Sequence, residues 1–128
     1  MLNWLEYKDC DSRVVRLPYP PSVNSIWRYY NGRMLLSKKG RLYYDSLKYL
    51  PYVQPLDPPY HLYLKVRPPD KRKRDLDNVI KVVCDSLQKL GVIEDDSLID
   101  RIDANRWNTK KGGSILAIIY QYESHVRK

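Results

Sequence analysis

The chain is expected to fold as a single α+β domain in which two main helices pack on a mixed β-sheet. Three observations predict this. Short runs of alternating apolar and polar residues recur between Arg13 and Tyr122, the period of two that suits strands with one buried face. Apolar residues at 3.6-residue spacing run from about Asp75 to Leu90, and a second helical segment runs from Ser37 to about Leu50. A length of 128 residues suits one core, and no repeat or low-complexity stretch divides it.

Residues 1–12 are mixed and polar and read as an N-terminal extension. Arg13 to Leu17 alternates as a strand, and Pro18, Pro20 and Pro21 end it because proline cannot donate to a sheet ladder. Ile26–Tyr30 and Arg33–Leu36 flank Asn31-Gly32, a strong hairpin signal because both turn residues need positive φ. Ser37 can cap the next helix, whose Leu42, Tyr43, Leu47, Tyr49 and Leu50 supply an apolar side; Gly40 weakens its first turn. Pro51 to Pro59 is a proline-rich connector, His61 to Val66 a strand, and Pro68, Pro69 and Asp70 its end. In the helix from Asp75 to Leu90, Leu76, Val79, Ile80, Val83, Leu87 and Leu90 are expected to face the core. Asp77, Lys81, Asp85 and Gln88 fall on the opposite side, and Gly91 suits the C-terminal cap. A strand starts at Leu98, Lys110-Lys111-Gly112-Gly113 turns the chain, and Ser114 to Tyr122 is the last strand. The domain therefore spans 13–122, with a tail over 123–128.

Composition narrows the function. The chain is 43% hydrophobic and 30% charged, as a soluble globular domain should be. A formal net charge of +8 and a pI of about 9.5 favour a polyanionic partner, either nucleic acid or an anionic membrane surface. No apolar run is long enough to span a membrane, and Glu6, Asp9 and Asp11 interrupt any signal-peptide pattern. Cys10 and Cys84 form neither a metal-ligand spacing nor a disulfide framework, so a cytoplasmic location is expected. Twelve Tyr and three Trp beside no Phe suit core packing and base stacking equally. His61 reads as a strand residue and His125 as a tail residue; no Ser-His-Asp or Cys-His arrangement is legible and no small-molecule cofactor is expected.

The chemistry concentrates in one segment. Lys71, Arg72, Lys73 and Arg74 run directly into Asp75-Leu76-Asp77-Asn78, followed by Lys81, Asp85 and then Glu94-Asp95-Asp96. Cations grip phosphate, and clustered carboxylates hold a divalent metal. With Asp75 as helix cap, Asp77 lies in the first turn, where the helix dipole keeps it ionised. Two close carboxylates repel until a cation such as Mg²⁺ joins them, and a metal there can activate water against a phosphodiester. Lys81, one turn after Asp77, can stabilise charge on the scissile phosphate. The bland alternatives are a capping Asp75, a surface pair between Asp77 and Lys81, an Asp85 paired to Lys81 or Lys89, and a plain acidic turn at 94–96. The helix is about 20 Å long, so the acidic turn meets Asp77 only if the chain folds back along it.

Three blocks in order resemble the RusA family of Holliday-junction resolvases: Pro20-Pro21-Ser22-Val23-Asn24-Ser25-Ile26-Trp27-Arg28, Arg74-Asp75-Leu76-Asp77-Asn78 with Lys81, Asp85 and Leu87, and Gly91-Val92-Ile93-Glu94-Asp95-Asp96. Lys110-Lys111-Gly112-Gly113 before the last strand also fits, and the likeness spans roughly 13–122. The resemblance implies a RusA-like fold and a homodimer that nicks two strands of a four-way DNA junction symmetrically, leaving 5′-phosphates, in recombination and repair, with a phage or prophage origin. It implies Mg²⁺, with Mn²⁺ able to substitute, held in each subunit by Asp75, Asp77 and Asp96, and a functional Lys81. It also implies that the acidic loop returns to the start of the helix, with Asp95 the alternative third ligand. Lys71, Arg72, Lys73 and Arg74 are the expected DNA contacts. A non-catalytic DNA-binding module and a metal-dependent ribonuclease share much of this charge pattern.

Overall fold

The structure is a computed structural model and describes residues 11–122. Strand β1 (Ser12–Leu17) leads to a one-turn helix α1 (Val23–Ile26) and a hairpin of β2 (Trp27–Tyr30) and β3 (Arg33–Leu36). Helix α2 (Lys38–Ser46) tightens into a 3₁₀ turn at Leu47–Tyr49. Strand β4 (Tyr60–Arg67), helix α3 (Leu76–Lys89), a 3₁₀ turn at Asp96–Leu98, β5 (Ile99–Arg106) and β6 (Ser114–Gln121) complete the order. This is the expected α+β architecture, with α2 and α3 as its two main helices.

The main sheet has the order β1-β6-β4-β5 and is mixed, because β4 and β5 run parallel while the other pairs are antiparallel. A parallel pair needs a crossover, and α3 supplies it. Register puts one residue set on the helix side: Val15 opposes Ala117, Leu17 opposes Ile115, and Leu62, Leu64 and Val66 oppose Ile119, Ala117 and Ile115. All are buried. Helix α3 lays Val79, Val82, Val83 and Leu87 onto that surface. Burying each such side chain contributes about 1.5–3 kcal/mol, so this layer fixes where the helix, and everything attached to its ends, must lie.

The hairpin forms as expected, with Asn31 at φ 50° and Gly32 at φ 74°, and Ser37 caps α2 by accepting from the Gly40 N–H at 3.0 Å. Two local expectations are corrected. Ile26 does not open a strand; it ends α1, where the Ser22 carbonyl accepts from Ser25 N at 2.9 Å and Ile26 N at 3.1 Å. A four-residue helix is shorter than any window in which periodicity is visible. The buried arc of α3 is also displaced: Val82, Cys84 and Ser86 are buried, while Leu76, Ile80 and Leu90 are half-buried at the core's edge. The sheet covers one flank, and Tyr43 of α2 approaches Ser86 on another, so the covered arc is wider than one apolar stripe. The extension and tail expected over 1–12 and 123–128, with Cys10 and His125, lie outside the described residues except Asp11 and Ser12, and Ser12 already opens β1.

Candidate functional site

The first two sequence blocks line one cleft of about 460 Å³. Tyr19 to Val23 form one wall, and Arg72 to Asp75 with Asn78 form the other. What joins them is close packing. A Cβ on Gly113 would stand 2.7 Å from the Tyr19 Cβ, so only glycine lets the Tyr19 segment approach the turn before β6. That turn is tied to the end of β4, with Lys110 N donating to the Pro68 carbonyl at 2.9 Å. Burial raises the Tyr19 pKa against the opposing charges of Arg74 and Arg106.

The four cations divide into two kinds. Arg74 Nη1 meets Asp70 Oδ1 at 2.7 Å and donates to the Asp70 and Arg72 carbonyls, each at 3.2 Å. Arg106 then donates to the Arg74 carbonyl at 2.7 Å. Arg74 therefore holds the loop in shape. Arg72 leans on the same Asp70 at 3.3 Å while staying exposed. Lys71 and Lys73 are exposed and form no ion pair among the described residues. The Arg74 hydrogen bond holds the Asp70 carboxyl down to about 2.

Asp75 occupies the N-cap of α3, but its carboxylate makes no capping hydrogen bond, and Asp77 sits in the first turn. The Asp77 carboxylate accepts from Asn78 N at 3.0 Å. Asp77, Lys81 and Gln88 lie exposed on one stripe with half-buried Asp85. The surface pairs do not form: among the described residues Asp77, Lys81 and Asp85 make no ion pair. Asp85 instead neighbours Tyr44, whose pKa burial and then the Asp85 charge push up to about 12.

The acidic turn does not return to the start of α3. Asp96 N donates to Gln88 Oε1 at 3.2 Å, near the helix's far end. Asp77 and Gln88 are separated by about 16 Å of helix axis. Asp96 also adds to the charge felt by Cys84, whose thiol is pushed up to about 11 by burial first and then by Asp96 and Asp85. Among the described residues no group of three His, Cys, Asp or Glu side chains could hold a metal ion. Within one chain, Asp75 and Asp77 thus form one carboxylate pole and Asp96 another. Asp95 and Asp96 have different surroundings. Asp95 Oδ1 accepts from Ser97 N at 3.0 Å, which holds its pKa down; the hydrogen bond with Asp95 pushes Asp96 up, helped by burial and the Asp95 and Asp85 charges.

Sequence reasoning missed the supporting residues. Asp70 read as a strand breaker, yet it organises the basic loop. Gln88 read as a solvent-facing polar residue, yet it positions the acidic turn. Tyr19 and Arg106 carried no local signal, because both act through contacts distant in sequence. His61 is a strand residue as expected, buried in β4 with its Nε2 2.6 Å from Asp103 Oδ2.

A sequence model of the family described as endodeoxyribonuclease RusA matches residues 18–119. The chain is 36% identical over 112 residues to a protein of Enterobacteria phage HK97 named crossover junction endodeoxyribonuclease rusA, covering 84% of this chain and 93% of that one. It is 33% identical over 105 residues to the crossover junction endodeoxyribonuclease RusA of Escherichia coli strain K12, covering 79% and 88%. The same figures hold for the protein of that name in Enterobacteria phage 82. The matched span contains the cleft, the basic loop and both carboxylate poles, and the chain belongs to the endodeoxyribonuclease RusA family of enzymes.

Proposed function

We propose that this chain is a divalent-metal-dependent endonuclease that resolves four-way DNA junctions by paired, symmetric nicks. The observation that carries the reading is the juxtaposition of a basic loop braced by Asp70 and Arg74 with two carboxylates at the head of α3 that form no ion pair among the described residues. Lys71 and Lys73 extend from a loop held by Asp70 and Arg74, which suits contact with a phosphate backbone. Asp75 and Asp77 fit the one or two carboxylates that usually hold Mg²⁺ or Mn²⁺ beside substrate phosphate. Such an ion would polarise the scissile phosphate and supply a hydroxide-like water. Lys81, one turn along and in no ion pair among the described residues, is suited to stabilise charge on that phosphate. Of the two neighbouring acids, Asp96 is the better third ligand. The Asp95 carboxylate is engaged as a cap, whereas Asp96 is crowded by negative charge that a cation would relieve.

A homodimer reconciles these parts. Within one chain Asp96 stands beside Gln88, Cys84 and Asp85 and forms no metal-holding group with Asp75 and Asp77, so each site takes Asp75 and Asp77 from one subunit and Asp96 of the partner subunit. A twofold axis then creates two equivalent sites, the symmetry that paired nicks require. No helix among the described residues is long and apolar enough to cross a membrane, and a cytoplasmic role in recombination, repair or debranching of phage DNA is consistent with this substrate.

The test is cleavage of a labelled synthetic four-way junction, with Mg²⁺ or EDTA, by the wild type and Asp77→Asn. Symmetric nicks are expected only with Mg²⁺ and Asp77, with junction binding retained in the variant. Tight binding without nicking under any metal would identify a non-catalytic module, and preferential cutting of an RNA-containing duplex would identify a ribonuclease.

A further inference from the structure

The β2–β3 hairpin is built to stand away from the core. Every residue of Trp27–Tyr30 and Arg33–Leu35 is exposed, so beyond the root, where Trp27 borders α3 and Leu36 packs against the core, neither face of this two-stranded ribbon is covered. Tyr29 is 73% exposed, Tyr30 56% and Met34 61%. Tyr29 and Met34 are direct cross-strand partners on one face, while Tyr30 and Arg33 pair on the other, with Arg28 over the Tyr30 ring at 5.5 Å. An isolated ribbon of this size is marginally stable in water. Large aromatic groups exposed on both faces are therefore kept for a partner rather than for the fold.

The root of the ribbon is fixed. Ser37 N donates to the Ile26 carbonyl at 2.7 Å, and the Ser37 hydroxyl donates to the Ser25 carbonyl. A Cβ on Gly40 would stand 2.5 Å from the Ile26 carbonyl oxygen, so α2 presses directly against the last residue of α1, where the hairpin's first strand begins. Trp27, at the root, shares a shallow cleft with Asp85 and Gln88 of α3. The tip thus projects about 13 Å from a clamped base beside the helix that carries the carboxylates.

Charge identifies the partner's chemistry. No Asp or Glu occurs from Ser12 to Tyr44, while Arg28 and Arg33 lie on the hairpin and Lys38, Lys39 and Arg41 at the start of α2. A surface that is cationic and aromatic, with no carboxylate, suits nucleic acid with accessible base faces. We propose that Tyr29 and Tyr30 stack on bases unstacked at the branch point of the DNA, so that the hairpin distinguishes a junction from a continuous duplex. This rests on the junction-endonuclease reading and adds to it the element that recognises the branch.

The test measures affinity for a labelled immobile four-way junction and for a linear duplex of equal length, in the Asp77→Asn background so that no strand is cut. Both tyrosine side chains lie outside the core, so their replacement leaves it intact. The doubly substituted Tyr29→Ala, Tyr30→Ala chain should bind the junction about tenfold or more weakly while duplex affinity stays within about twofold. Tyr29→Phe with Tyr30→Phe should retain junction preference, and Tyr29→Leu with Tyr30→Leu should not, because stacking needs a π-face. Unchanged junction preference in the Ala variant, or rescue by Leu as full as by Phe, overturns the proposal. Equal losses on both substrates with a shift to monomer in sedimentation would instead assign the hairpin to a subunit contact. A parent chain with no preference for the junction overturns the function reading as well, so the two failures are distinguishable.

Discussion

At the scale of single residues, identical types serve different ends according to what lies beside them. Lys71, Arg72, Lys73 and Arg74 are equivalent in the sequence, but Arg74 is turned inward by Asp70 while Lys71 and Lys73 remain exposed. The Asp70 carboxyl is held down to about 2 by hydrogen bonds from Arg74 and Arg72 N. A carboxylate whose folded pKa is depressed stabilises the native loop above its ordinary value and loses that contribution as pH falls through the folded value. The loop should therefore stay ordered at pH 4 and loosen toward pH 2. Carboxyl NMR should give an Asp70 midpoint near 2 that returns toward the ordinary carboxylate range in Arg74→Met; an unchanged midpoint in that variant would sink the assignment. The placement of Asp75 and Asp77 at a helix start was legible from sequence because it is a local pattern. Asp70 was not, because its partners are fixed by the loop's fold.

At the scale of elements, close approaches carry the architecture. The Ser37 cap, the Asn31-Gly32 turn and the apolar side of α3 were all readable, since each depends on neighbours within a few residues. The contact between Gly40 and Ile26 was not, and Gly40 read only as a weak point in a helix. Its Cβ would meet backbone, which cannot swing aside as a side-chain end can. Gly40→Ala should consequently destabilise the protein by about 1–3 kcal/mol, although alanine favours helix by about 1 kcal/mol over glycine. Chemical denaturation would measure it, and a stabilised variant would show that α2 can shift without cost. Because the same contact clamps the hairpin, the substitution should also reduce junction binding in proportion to the hairpin's displacement.

At the scale of the whole molecule, α3 separates the carboxylates it helps to bring to the surface. Its head carries Asp75 and Asp77, while Gln88 near its far end holds the following turn at Asp96. Sites completed across a dimer predict a specific rescue. Asp77→Asn and Asp96→Asn homodimers should each be inactive. Mixing them should restore one intact site per heterodimer and yield single nicks at junctions, whereas sites contained within one chain would leave the mixture inactive. A nicking assay on mixed chains decides between them. The sequence by itself determined the α+β class, the hairpin, the amphipathic α3, the basic loop and the placement of Asp75 and Asp77 at the start of that helix. Each is written in composition or in spacings within a few positions, where backbone geometry alone fixes what is adjacent. Only the tertiary structure decided which cations are committed, that the Tyr19 segment lining the cleft packs on the Gly113 turn, and that Asp96 stands beside Gln88 and Asp85. The position of Asp96 depends on how the chain after Gly91 packs, with Val92 and Ile93 buried in the core, and on no local spacing.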